Sequence, residues 1–240
     1  MIIEDVLIEL RKLKGTLVVV LCLVAPTLAA TLMTLMSIRM HRHPWQEGIG
    51  ETTGLWAFFV LPMTVTALSA LMAHLEHGPR LWDHLLALPI RRWRIYTAKG
   101  LVIMILVALM SLLLALEIRA GGLLLHYVFP AKEPTGAFDW GECAKLLGSM
   151  WAASLFMVMI QLWVALHFRS FVAPLTVGLA GTFVAVAAMS AKEAIYVPWV
   201  MPVSILVGHG ARAEQALQLG LIGGLITFAL MILHLSRKEA

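Results

Sequence analysis

The most regular feature of the sequence is the recurrence of long apolar stretches that contain no Asp, Glu, Lys or Arg. There are six such stretches, at residues 17–38, 52–73, 100–116, 146–166, 170–191 and 215–236. A helix of about 20 residues, rising about 1.5 Å per residue, crosses a hydrocarbon layer of about 30 Å and satisfies its own backbone hydrogen bonds. The pattern therefore predicts six transmembrane helices. The third stretch is short, but Ile118 and residues 120–129 can extend it past Glu117 and Arg119.

Composition supports a membrane protein and excludes two other classes. Hydrophobic residues make up 60% of the 240 residues and charged residues 13%, and the mean hydropathy is +0.88. So few charges cannot cover the surface of a soluble enzyme, and so apolar a chain is not disordered. The segments between the stretches are too short to form a soluble domain of about 50 residues. We therefore expect a single all-α transmembrane domain over residues 1–240.

The basic residues predict the orientation. With both termini in the cytosol, the inner segments hold 11 of the 18 Lys and Arg residues, in agreement with the positive-inside rule. Tryptophans flank both predicted interfaces, as in an aromatic belt. The net charge of +4 is explained by basic residues beside anionic headgroups, so we do not expect nucleic-acid binding.

Two further segments are predicted to lie at the membrane surface. Residues 1–16 carry apolar residues at helical spacing, with Glu4, Asp5 and Glu9 among them, which predicts an amphipathic helix in the inner interface. The alternative is a cytosolic extension of the first span. Residues 192–214 contain Pro198 and Pro202, which interrupt helices, and are interpreted as a re-entrant outer hairpin before the sixth span.

The inner loop 74–99 is the most informative connection. Gly78 and Pro79 end one helix and start another, and Pro89 ends the second one. Leu81, Leu85 and Leu88 share one face of this short helix. It is either a loop resting on the membrane or a docking helix that inserts into a groove of a partner protein.

This loop resembles that of the ABC-2 class of ABC-transporter permeases, and most closely the small permeases of lantibiotic or bacitracin self-protection. The family's loop has a Glu after the second span, a short helix ending in a Leu-Pro pair, basic residues and an Ala-Lys. Glu76, Leu85, Leu88-Pro89, Arg91-Arg92 and Ala98-Lys99 occupy those places. The resemblance implies a coupling helix whose partner-binding residues are Glu76, Arg80, Leu81, Trp82, Leu85, Leu88, Pro89, Arg91 and Arg92.

The resemblance also implies partners. Two cytosolic ATPase subunits, with ATP and Mg²⁺ bound to them, would dock on the coupling helix, and the permease would pair with itself or with a related permease in the bacterial cytoplasmic (inner) membrane. The chain has no G-x-x-x-x-G-K-[ST] phosphate loop, so we expect no ATPase activity and no cofactor in it. The expected substrate is amphipathic or apolar, such as an antimicrobial peptide or a lipid-like molecule.

Alternatives remain open at this point. A haem-exporter-type permease and a non-transport membrane assembly factor fit the same pattern of spans. A membrane enzyme is less favoured because no apolar stretch holds a carboxylate or a clustered His pair. The loop histidines His74, His77 and His84 are interrupted by Gly78-Pro79, so we expect no metal site there.

Overall fold

The described part of the chain is helical. A computed structural model describes residues 2–39, 44–77, 91–168, 170–189, 191–208 and 210–237, and these contain no β-strand. Five helices in them are long and apolar enough to cross a membrane: Leu17–Arg39, Trp45–Leu75, Arg92–Val128, Trp140–His167 and Ala211–Arg237. The stretch predicted as the fifth of six spans forms only Val172–Ala188, a helix of 17 residues at the lower limit for a span. The chain is thus a multi-pass membrane protein, and the sixth crossing stays a prediction.

A short break at residues 14–16 separates the first two helices. Helix α1 covers Ile2–Leu13 and α2 covers Leu17–Arg39. Gly15 between them has φ +78°, a left-handed backbone conformation that glycine adopts without steric cost. The hydroxyl of Thr16 donates to the Leu13 carbonyl at 2.6 Å and so satisfies one of the last acceptors of α1.

The second candidate span is a composite rod. Helices α3 (Trp45–Leu55) and α4 (Leu61–His77) are joined by the π-helical turn Trp56–Val60. Hydroxyl side chains inside this rod donate to the carbonyl four residues earlier, as Thr53 does to Ile49 at 2.7 Å and Thr66 to Pro62 at 2.8 Å. These bonds satisfy polar groups that would otherwise be unpaired in lipid.

The third predicted span is longer than its apolar stretch. Helix α5 runs without interruption over Arg92–Val128, 37 residues or about 55 Å. It continues past Glu117 and Arg119, which confirms the expected extension. At its other end it begins eight residues before the apolar stretch, and both ends therefore protrude from the hydrocarbon layer.

Helices α6 (Trp140–His167), α7 (Val172–Ala188) and α9 (Ala211–Arg237) complete the bundle. Helix α6 begins where the Asp139 carboxylate accepts from the backbone N–H groups of Gly141 and Glu142 at 2.7 and 3.1 Å, a normal N-cap. The ring of His74 on α4 meets Phe171 at 5.9 Å, and Gly178 faces Thr66. Helices α4 and α7 are therefore antiparallel, and α7 carries the chain back across the bundle.

Close helix approach occurs at the glycines that the sequence places in the last span. A Cβ on Gly220 would lie 2.4 Å from the Ala153 carbonyl oxygen, and one on Gly224 would lie 2.8 Å from the Leu155 Cβ. Helices α6 and α9 thus pack backbone to backbone through a small-xxx-small pattern. The contact lies within this chain.

The described residues of the predicted re-entrant segment form two short elements, and its residues 211–214 already belong to α9. Residues Lys192–Tyr196 form a 3₁₀ turn and Met201–Val207 form α8, seven residues long. About 10 Å of helix cannot cross a bilayer. Their depth in the membrane stays a prediction, as does the interfacial position of α1.

Candidate functional site

Most of the predicted coupling helix lies outside the described residues. Arg80, Leu81, Trp82, Leu85, Leu88 and Pro89 belong to the undescribed part, and so does the side chain of Glu76, whose backbone is in the last turns of α4. The structure places the two remaining candidates at the start of α5, where Arg91 is the exposed N-cap and Arg92 the half-buried first residue. Their role in partner binding stays a prediction.

The described residues that follow the predicted coupling helix are fastened to α1. Both Nε and Nη2 of Arg94 lie 2.8 Å from the Asp5 Oδ2. Further along α5, Lys99 Nζ lies 2.8 Å from the Glu9 Oε2. Two ion pairs therefore join α1 to the first turns of α5.

The second of these pairs is buried. Lys99 is 1% exposed and Glu9 is 7% exposed. Lys12 adds a third charge, with its Nζ 2.5 Å from the other Glu9 oxygen. Burial by itself raises the pKa of Glu9, but Lys99 and Lys12 outweigh it and hold that pKa below its usual value. Glu9 is therefore a carboxylate at neutral pH.

The spacing of the partners shows how α1 runs. Asp5 and Arg94 are 89 residues apart, and Glu9 and Lys99 are 90 residues apart. Higher in the bundle, Thr27 of α2 donates to Glu117 of α5, again 90 residues away. A constant separation means that α1 and α2 both follow α5 in the same direction. This arrangement favours the alternative that α1 extends the first span.

The opposite end of the bundle holds an amphipathic cavity of about 720 Å³. Helices α3, α6, α8 and α9 surround it. Exposed charged residues Glu142, Lys145 and Glu214 lie on its rim, and none of the three is in a salt bridge within the described part of the chain. Ile49, Leu146, Ile205, Leu206 and Leu217 supply apolar lining. The volume lies within the range of ligand-binding cavities. No sequence pattern indicated this cavity because its residues come from four separate helices.

The histidines form a contact that the sequence did not indicate. His167 at the end of α6 stacks on His234 of α9 with ring centroids 5.2 Å apart, and Trp163 Nε1 donates to His234 Nδ1 at 3.0 Å. Within the described ranges, no three His, Cys, Asp or Glu side chains come together in a way that could hold a metal ion. His84 lies outside these ranges, as does the side chain of His77.

Comparison with known proteins identifies the family. Residues 6–185 match the model of the ABC-2 family transporter proteins, which covers α1 to most of α7. The chain belongs to this family. No curated protein matches the sequence at a significant level. ABC-2 proteins are membrane permease components that work with separate ABC ATPase subunits. The prediction of an ABC-transporter permease is therefore confirmed at the level of the family.

Proposed function

We propose that this ABC-2 permease moves or extracts an amphipathic or apolar substrate, such as an antimicrobial peptide or a lipid-like molecule, as in lantibiotic or bacitracin self-protection. The cavity of about 720 Å³ between α3, α6, α8 and α9, which lies at the predicted outer end and is called the outer cavity below, supports this proposal. Its apolar lining and charged rim suit molecules of mixed polarity. Within the proposal, both termini are cytosolic in the inner membrane, two permeases pair, and two ATPase subunits bind ATP and Mg²⁺.

The observation that carries the proposal is the attachment of α1 to the first turns of α5. An ATPase that pulls on residues 80–90 would pull on the segment that enters α5 at Arg91 and Arg92. Because Asp5–Arg94 and Glu9–Lys99 fasten α1 to the same turns, the base of α5 would move with α1 as one rigid unit. A rigid element joined to the spans is what ATP-driven closure of a partner requires.

Co-purification tests the docking step. The double substitution Leu85→Asp and Leu88→Asp should abolish recovery of the ATPase with the tagged permease, because two charges would replace the apolar face of the predicted helix. A matched control places the same charges at Val128 and Phe129, both exposed at the predicted outer end. Retention of the ATPase by the first variant, or equal loss from both, would show that residues 80–90 are not the docking element.

Substrate class is tested with the reconstituted complex. In vesicles, ATP hydrolysis should rise when a membrane-bound amphipathic peptide is added and should not rise with a soluble polar peptide of the same length. A variant with Leu146→Arg and Leu217→Arg in the outer cavity should lose this stimulation while keeping basal hydrolysis. If polar and amphipathic peptides act alike, the proposed substrate class is wrong.

A further inference from the structure

A second candidate binding place lies in the groove between α2 and α5, next to the packing of α5 against Trp45. The groove has a volume of about 260 Å³. Three threonines of α2 line it, Thr27, Thr31 and Thr34, and from α5 comes a single charged side chain, Glu117. Thr27 is exposed and Glu117 is half-buried.

Glu117 lies near the edge of the hydrocarbon layer. It follows Lys99 by 18 residues of uninterrupted helix, about 27 Å. Gly122, one and a half turns further on, packs against the ring of Trp45 at the predicted outer interface. A carboxylate at this depth is costly unless it is paired.

The pairing within the described residues is incomplete. Glu117 Oε1 accepts a hydrogen bond from Thr27 at 2.5 Å. Its Oε2 is occluded and has no partner in the described part of the chain. The nearest basic residue in sequence, Arg119, is turned away, with its guanidinium 5.4 Å from the ring centre of Trp45 and 5.9 Å from that of Phe138.

The residues that line the α2–α5 groove determine which ligand groups can bind in it. The Glu117 carboxylate can only accept, and the hydroxyls of Thr27 and Thr34 already donate to Glu117 and to the Ala30 carbonyl. The acceptors that remain favour a charged N–H group. A zwitterionic lipid headgroup fits poorly because no basic residue lines the groove to hold its phosphate. A volume of about 260 Å³ accommodates one cationic side chain with its aliphatic stem.

We infer that the α2–α5 groove binds the ammonium group of a lysine side chain from a cationic amphipathic peptide lying in the outer leaflet, with Glu117 as its counter-ion. This inference deepens the proposed function, on which it rests for the peptide class of the substrate. It adds a charge requirement, because the groove admits a peptide cation and disfavours an uncharged or anionic peptide.

The test measures binding to the full chain alone in phosphatidylcholine nanodiscs. The probe is a dansyl-labelled Leu/Ser amphipathic helix with one lysine, compared with the same peptide carrying an acetylated lysine. We expect the charged probe to bind at least about tenfold more tightly, since a charge-assisted hydrogen bond is worth a tenfold change or more in affinity. Glu117→Gln should abolish this difference, and Glu47→Gln, an exposed carboxylate on α3, should leave it unchanged.

The Thr27→Val variant distinguishes a ligand-binding role of Glu117 from a helix-packing role. This variant removes the hydrogen bond between the helices but keeps the carboxylate, so the difference between the two probes should persist. If both variants lose it together, or if Glu117→Gln lowers only thermal stability, Glu117 is a helix-packing residue and the inference is wrong. Displacement of the probe by added phosphatidylethanolamine, with retention of that lipid depending on Glu117, would also overturn it.

The result of this binding measurement can be separated from the association of the permease with an ATPase. Equal binding of both probes, together with normal recovery of the ATPase, would reject this groove and leave the permease function standing. Charge-dependent binding by a chain that never associates with an ATPase would keep the groove and reject the function.

Discussion

Replacing Lys99 with Met removes a buried cation from the junction of α1 and α5. The variant leaves the Glu9 carboxylate, itself 7% exposed, with Lys12 as its remaining basic partner among the contacts described above. The cost to Glu9 has a ceiling, because the carboxyl can take up a proton instead. For a glutamate with the ordinary pKa of 4.5, protonation at pH 7 costs about 3.4 kcal/mol. With Lys12 still 2.5 Å away, we expect a loss of about 1–3 kcal/mol in the free energy of unfolding.

The assay is reversible unfolding by SDS titration in mixed micelles, followed by far-UV circular dichroism. A double-mutant cycle with Glu9→Gln isolates the pair, and the Lys99→Met/Glu9→Gln variant should recover most of the loss since neither side chain then carries an unpaired charge. Lys145→Met, an exposed lysine on α6, is the control and should change little. The reasoning would be refuted if the losses in the free energy of unfolding of the two single variants simply added up in the double variant. It would also be refuted if the Lys99→Met variant were as stable as the wild type.

Three further outcomes are expected from the same measurement. Arg94→Gln should cost less than Lys99→Met, about 1 kcal/mol or below, because the side chains of this ion pair are 30% and 17% exposed. The lowered pKa of Glu9 adds stability that is present above its unfolded pKa and is lost as the pH falls through the lower folded pKa, so the wild type should lose its advantage over Glu9→Gln below about pH 4.5. Gly220→Val should destabilise by several kcal/mol, since its Cβ meets the Ala153 backbone, whereas Gly148→Val, with nothing within 4 Å of its Cβ, should change stability by about 1 kcal/mol or less.

The spans could be predicted because the length of a charge-free stretch is read directly from the sequence. Each of the six apolar stretches contains a helix, and α5 continues past Glu117 as expected. The exact ends were less predictable, since a helix can continue into the interface wherever its backbone remains helical. The shortness of α7 shows the same limit in the other direction: Val172 starts the helix and Ala188 ends it, inside a stretch of 22 charge-free residues.

Contacts between distant residues were not predictable in the same way. Nothing in the local pattern around Glu9 indicates that its partner is Lys99, 90 residues away. Nothing in the sequence around Glu117 indicates a partner on α2, and only the structure shows that Thr27 donates to it in a groove. The Gly220-x-x-x-Gly224 spacing indicates close packing but not the partner, because small residues permit an approach without specifying the helix that approaches.

The position of α1 bears directly on how force could enter the membrane domain. An amphipathic helix lying flat on the bilayer would contact α5 at one point and could pivot there. Partners at near-constant spacing, first at Asp5 and Glu9 and then at Thr27, instead attach α1 and α2 along α5. A displacement of the α5 base is then shared by two helices, and α5 is long enough to carry it about 55 Å to the other end of the bundle. If an ATPase pulls on the α5 base as proposed, breaking the Lys99 pair should weaken the coupling between ATP hydrolysis and transport more than it weakens ATPase binding.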